Sequence, residues 1–258
     1  MSRILVVGAT RGLGEALAKQ YASAGNHVYG TARSTSPPQE SASFPITWIG
    51  NVDISTESAG KTITDSLKGI QLDTVIITAG YFAKESFDEP KFEAEVQMYK
   101  ICSIGPVFIV HHLVKAGVLK KGSKVILVSS ESGSIALRHE SEGGGMFGHH
   151  ASKTALNMVG KLLSLDLKDK GIAVGLVHPG FMRTEMTRSV GFDKFWDAGG
   201  AVTPDEAAAS LRESVENKFD ISLTGEYWAP RGPGRDIGTA EAVLGPKKDL
   251  PTPLPLPW

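Results

Sequence analysis

Between residues 8 and 14 the chain reads Gly8-Ala9-Thr10-Arg11-Gly12-Leu13-Gly14. Glycines at this spacing let a backbone turn tightly and approach a pyrophosphate, and a helix that starts there offers free N–H donors and partial positive charge. Gly8, Thr10, Arg11, Gly12, Leu13 and Gly14 are therefore candidate contacts to a dinucleotide. A site for NAD would carry, about twenty residues further on, an acid that accepts from the ribose 2′-hydroxyl. The chain has Thr31-Ala32-Arg33-Ser34 there, with no acid. Arg33, together with Arg11 in the loop itself, suits a 2′-phosphate through charge-assisted bonds, so the cofactor expected is NADP(H).

Metal chemistry has no comparable support. The single cysteine, Cys102, excludes an intrachain disulfide and a cysteine-based zinc site. The pairs His111-His112 and His149-His150 are adjacent in sequence, and adjacent helical residues do not share a face. No metal is expected.

A phosphate loop of this kind needs a strand before it and a helix after it. Residues 4–7 are a short aliphatic run bounded by Gly8, and 14–24 has helical spacing with Leu13, Leu17 and Tyr21 on one face. The alternation continues, with strands expected at 27–31, 46–49, 74–78, 124–129, 172–177 and 225–228. Helices are expected at 56–67, 92–116 with an interruption at Gly105-Pro106, 150–168 and 204–217. This pattern predicts α/β architecture: a single-domain Rossmann fold whose doubly wound, mostly parallel, seven-stranded sheet has helices on both faces. Ligands in such sheets sit beyond the carboxyl ends of the strands. Chemistry is then expected at Gly8–Gly14, Ala32-Arg33, Asp53, Ala79-Gly80, Ser129-Ser130 and His178-Pro179-Gly180.

Taken in order, the glycine loop, Asp53-Ile54, Thr78-Ala79-Gly80, Ser129-Ser130-Glu131-Ser132-Gly133, Ala151-Ser152-Lys153 and Pro179-Gly180-Phe181-Met182-Arg183-Thr184 resemble the short-chain dehydrogenase/reductase family, over about residues 3 to 230. The resemblance implies that Asp53 and Ile54 flank the adenine and that Ala79 and Gly80 line the cofactor. It also implies that Thr184 and the Pro179-Gly180 turn, with Met182 beside them, hold the nicotinamide. That family's catalytic unit is Asn, Ser, Tyr and Lys. Lys153 fits the lysine, Ser130 lies 23 residues before it, six more than the family pattern, and the tyrosine position holds His149. Cys102 stands at the asparagine position.

In the family the tyrosine gives its proton to the substrate oxygen as hydride reaches carbon, while the lysine also binds ribose hydroxyls. His149 has two open readings: it replaces the tyrosine as proton donor, or it packs on the cofactor or lid. Lys153 would push its pKa down, so a charged His149 requires an acid such as Glu131 nearby. Tyr81 is the spare phenol, and Ser130 is the hydroxyl that orients a carbonyl or oxyanion. The six extra residues fall within 138–146, whose Gly143-Gly144-Gly145 suggests a longer, mobile cover. Residues 182–200, with Met182, Met186, Phe192, Phe195 and Trp196, read as an apolar substrate lid. The NADP(H)-binding domain is expected to span 1–230, and 231–258 to form a Pro-rich C-terminal extension that acts as a stiff arm.

With 27 Lys+Arg against 28 Asp+Glu in 258 residues, the net charge of −1 argues against nucleic acid or an anionic membrane as partner. No stretch approaches the roughly 18 apolar residues of a membrane span, and the run at 4–7 is too short for a signal peptide, so a cytoplasmic protein is expected. Biased composition is confined to residues 34–43 and the tail from Pro246. The leading functional expectation is a reductase, or the reverse dehydrogenase, acting on a carbonyl or imine of a hydrophobic small molecule. In the family, altered catalytic residues accompany unusual substrates, which implies specialised metabolism. The alternatives are a cofactor-retaining scaffold for a non-redox cyclisation, rearrangement or isomerisation, and a non-catalytic NADP(H) sensor. The helices at 92–116 and 150–168 resemble the family's dimer-forming pair, implying a homodimer or homotetramer.

Overall fold

The computed structural model describes residues 1–35, 43–234 and 237–258, so most of the Ser- and Pro-rich stretch at 34–43 lies outside the described residues. The chain runs β1 (Arg3–Val7), α1 (Gly12–Ser23), β2 (His27–Thr31), β3 (Ile46–Ile49), α2 (Ala59–Ser66), β4 (Leu72–Ile77), α3 (Phe92–Tyr99) and α4 (Gly105–Lys115). It continues with β5 (Leu119–Val128), α5 (Phe147–Lys168), β6 (Ala173–Val177), α6 (Glu185–Ser189), α7 (Pro204–Asn217), β7 (Tyr227–Ala229), α8 (Ala240–Leu244) and β8 (Leu254–Pro255).

Among the described residues one 8-stranded sheet has the order β3-β2-β1-β4-β5-β6-β7-β8. Every pairing from β3 through β7 is parallel. Strand order reverses beside β1, whose neighbours are β2 and β4, and this opens a crevice at their carboxyl ends. Alternation along each strand feeds two cores. Leu5 and Val7 join Ile63, Ile109 and Leu113 on the side of α2, α4 and α5. Ile4 and Val6 join Leu17, Tyr21, Leu211 and Val215 on the side of α1 and α7. Each such aliphatic side chain contributes roughly 2 kcal/mol by leaving water, which is why strands covered on both faces read as unbroken apolar runs.

Two features differ from expectation. The helical path is not broken at Gly105-Pro106: it passes from α3 into α4 through a π-wound segment at Lys100–Ile104. Pro106 cannot donate back along this path, and the wider turn just before it accommodates the missing bond and the change in pitch. The sheet also has eight strands where seven were expected. Leu254–Pro255 pairs antiparallel with β7, and Leu256 N donates to Tyr227 O at 2.8 Å. Prolines there read as a stiff arm, but an extended edge segment is a conformation proline tolerates, and Leu254 and Leu256 are buried beneath it. No helix among the described residues is long and apolar enough to cross a membrane.

Candidate active site

The site begins where β1 ends. Gly8 adopts φ 91°, a left-handed conformation that disfavours other residues, and its N–H donates to Thr31 Oγ1 at 3.0 Å. A Cβ at Gly14 would collide with the Gly8 carbonyl oxygen, so α1 can start this close to the loop only with glycine there. Thr78, just past β4, donates through Oγ1 to Val7 O at 2.9 Å and so ties the loop to the β4 end. Arg11 precedes α1 without a side-chain cap to the helix. The cradle therefore presents backbone donors at the sheet's reversal point.

A cavity of about 570 Å³ opens from this cradle. Gly8, Thr10, Arg11, Gly12, Leu13 and Gly14 line one part of it, with Arg33, Asp53 and Ile54 beside them. Ala79, Gly80 and Tyr81 follow β4, and Pro179, Gly180, Met182 and Thr184 follow β6. Ser130, His149 and Lys153 line the same cavity. Residues from seven separate stretches of chain thus meet in one space. Among the described residues no cluster of three or more His, Cys, Asp or Glu could hold a metal ion.

Lys153 is buried and its Nζ donates to Val128 O at 2.9 Å, at the end of β5. Four residues before it on α5, His149 packs against Phe82, the ring centroids 4.1 Å apart and the planes tilted by 31°. Its Nδ1 is buried, without a hydrogen-bond partner among the described residues. Burial, followed by the positive charge of Lys153, His150 and Arg138, pushes the His149 pKa down to about 3. The condition for a charged imidazole is not met, because Glu131 is taken by an ion pair with Arg138. His149 is neutral at physiological pH. His150 turns away, its Nδ1 lying 3.0 Å from Met146 O. Cys102 is buried in the π-wound segment, its Sγ 3.7 Å from Tyr81 O.

Ser130 follows β5 in a turn held from several directions. Its Oγ accepts from Ser132 N at 3.2 Å, and its carbonyl accepts from the Tyr227 hydroxyl. Asn157 Nδ2 and Thr154 Oγ1, both on α5, donate to Gly133 O at 3.1 and 2.9 Å. His178 Nδ1 accepts from Glu131 N at 3.1 Å, which leaves the proton of a neutral ring on Nε2.

A family model described as short chain dehydrogenase matches residues 2–194. The chain belongs to the short chain dehydrogenase family. It is 29% identical over 219 residues to the 1-hydroxy-2-glutathionyl-2-methyl-3-butene dehydrogenase of Rhodococcus sp. strain AD45, covering 84% of this chain and 92% of that relative. It is 26% identical over 199 residues to the 3-oxoacyl-[acyl-carrier-protein] reductase FabG of Escherichia coli K12, covering 74% and 77%. Its fold matches the D. melanogaster carbonyl reductase Sniffer with TM-score 0.77 at 20% identity, over 100% of both chains.

In this short chain dehydrogenase residues 182–200, the stretch expected to form a lid, are held by their own contacts. Thr184 caps α6 in a reciprocal bond with Thr187, whose Oγ1 also accepts from Trp196 Nε1 at 3.2 Å. Phe192 meets Phe82, Phe181 and Phe195 edge-on at 5.6, 6.5 and 6.3 Å. Arg11 reaches across the cleft to Glu185 at 2.8 Å. The extended segment at 138–146 is anchored at its start, where Arg138 pairs with both Glu131 and Glu142. Phe82 and Tyr227 also shape the site, and neither belongs to the sequence motifs. Phe82 had a signal, since it follows Tyr81 directly beyond a strand end. Tyr227 acts on the site through the Ser130 backbone carbonyl and left no such mark.

Proposed function

We propose that this chain is an NADP(H)-dependent reductase, or in the reverse direction a dehydrogenase, acting on a carbonyl or imine of a hydrophobic small molecule. One observation carries the reading: a single cavity joins the glycine cradle to Ser130, His149 and Lys153 and ends under the aromatic lid. The cradle fits a dinucleotide because Gly14 lets α1 start against the Gly8 carbonyl, which brings the free N–H groups of that helix end to the crevice. Arg33 borders the cavity where an NAD site would carry an acid, which supports the 2′-phosphorylated cofactor. The carbonyl reductase from chicken fatty liver, similar in fold at TM-score 0.75 and 20% identity, is described as NADPH-bound, in keeping with that choice.

NADPH, when bound, supplies the hydride. Lys153 and Thr184 would orient the cofactor, Asp53 and Ile54 would hold its adenine end, and Ser130 Oγ would donate to the substrate oxygen. His149, which we assign to the family's tyrosine position, acts as a neutral imidazole. It steadies developing negative charge by donating a hydrogen bond, while Lys153 adds a positive field. Tyr81, next to His149's packing partner Phe82, is the phenol that delivers the proton. The relative in Rhodococcus, by its name a dehydrogenase of a glutathionyl hydroxybutene, adds thioether alcohols to the substrate panel. Unusual substrates of this kind fit a role in specialised metabolism. An apolar stripe on α5, Met158, Leu162 and Leu165, exposed at 60%, 53% and 62%, supports assembly as a homodimer or homotetramer.

The absence of a charged imidazole also favours a second reading, a non-redox rearrangement or cyclisation in a cofactor-retaining pocket. Incubation with 4-deuterated NADPH and a panel of ketones, aldehydes and imines separates the two. Deuterium on a product carbon establishes the reductase. A protein-dependent product without label establishes the non-redox reading.

A further inference from the structure

The first turn of α5 carries His149, and its cap comes from elsewhere in the chain. Met146, the residue before the helix, is left-handed at φ 53° and gives no side-chain cap. In its place Glu85, buried at 5% exposure in the loop after β4, accepts from Gly148 N at 2.6 Å through Oε1. Its other oxygen, Oε2, accepts from Lys91 N at 3.2 Å, at the residue that precedes α3. Its backbone carbonyl accepts from Met146 N at 3.3 Å. One side chain therefore closes the free ends of two helices, where a carboxylate also opposes the positive end of each helix dipole.

The fit around this joint is tight. A Cβ on Gly148 would collide with Met98 Cε and lie 2.9 Å from Glu95 Cγ, so α3 lies directly against the start of α5. Glu95 faces Glu85 and keeps its proton above the usual carboxylate range, chiefly through a hydrogen bond to Glu85. The same loop carries Phe82, packed against the His149 ring, and Tyr81 in the cavity wall. His149 is thus gripped twice by one segment, at its ring by Phe82 and at the preceding backbone N–H by Glu85.

We propose that Glu85 is a positioning residue for the reaction: by binding Gly148 N–H and Lys91 N–H together, it sets the place of His149 relative to Tyr81 and the substrate. The proposal rests on the reading of His149 as a group that faces the reacting atoms, so its test includes a measurement independent of turnover. Glu85→Ala and Glu85→Gln are compared with the wild-type full chain in NADPH binding, in kcat and KM, and in the His149 Cε1–H resonance, which is assigned by its loss in His149→Phe.

A misplacement of about 1 Å at a reacting group lowers rates by up to about a hundredfold. For Glu85→Ala the expected result is a kcat reduced at least about tenfold, with KM and NADPH affinity within about twofold of wild type. Glu85→Gln keeps a carbonyl oxygen for Gly148 N–H but turns an amide toward Lys91 N–H, so a smaller loss is expected. The His149 resonance should move in both variants in the same order. An unmoved resonance with unchanged kcat in Glu85→Ala overturns the proposal. So does a kcat loss matched by an equal loss of NADPH affinity, which marks general disruption. If Glu85→Ala does not fold, Glu85→Gln decides by the same two readouts. A wild type that turns over nothing refutes the proposed function, whereas the resonance still decides the role of Glu85.

Discussion

His149 sits four residues before Lys153, so its place beside the lysine is readable from spacing alone. Its charge is legible only in part: Lys153 and His150 lie close in sequence, but the burial that is the largest cause comes from residues elsewhere in the chain. Phe82 covers the ring, Arg138 adds to the repulsion from Lys153, and the same Arg138 removes Glu131 as a counter-charge. Folding therefore lowers the imidazole pKa from 6.5 to about 3. Between those values the unfolded chain binds the proton and the folded chain does not, so this group's contribution makes stability fall as pH drops below about 6.5. From pH 7 to pH 5 the loss attributable to His149 should approach about 2 kcal/mol. Urea unfolding of wild type and His149→Phe at both pH values checks it: the variant should lack that part of the slope. Arg33 offers a second test at this scale. Arg33→Ala should raise the Kd for NADPH about tenfold or more, the value of one charge-assisted contact, and leave NADH unchanged. Equal losses for both cofactors would remove Arg33 from the 2′-phosphate.

Elements, more than single motifs, determine how well the candidate reacting groups are held. The Ser130 turn is pinned by α5 through Asn157 and Thr154 and by β7 through Tyr227. Tyr227 has a pKa far above the ordinary phenol value, first because it is buried and then because Glu131 is near, so it remains a donor throughout the working range. Tyr227→Phe leaves the Ser130 carbonyl without this bond, which should cost about 1–2 kcal/mol of stability and lower kcat more than it changes KM. Thermal unfolding together with steady-state kinetics reads both effects. The strand and helix alternation was legible because parallel strands buried on both faces are nearly pure runs such as Ile4 to Val7. What was not legible has a physical origin in each case. The π-wound segment before Pro106 depends on how α3 and α4 pack, and β8 is a pairing between residues more than twenty positions apart, written in prolines that carry no strand signature.

At the scale of the whole molecule, the exposed stripe Met158, Leu162 and Leu165 recurs at helical spacing on α5, where one turn brings each to the same face. Ile104, near the start of α4, is exposed at 48% as well. A surface of this kind is expected to bury itself against a second copy. If the proposed oligomer forms through this stripe, Leu162→Glu with Leu165→Glu should give a monomer in light scattering at micromolar protein, with the unfolding of the core intact. A wild type that is monomeric in the same measurement would assign the stripe another purpose.

The Arg11–Glu185 bridge has a kinetic consequence. Its side chains are 57% and 72% exposed, so the pair contributes at most about 1 kcal/mol and is easily exchanged. A 2′-phosphate arriving at Arg11 can therefore displace the carboxylate, and α6 then loses its tether to the glycine loop. Substrate that waits beneath α6 would bar that exchange, so the two ligands should bind in compulsory order, cofactor leading. Initial-rate patterns would show this as product inhibition by NADP⁺ competitive with NADPH alone, and Glu185→Gln would relax the sequence toward random addition.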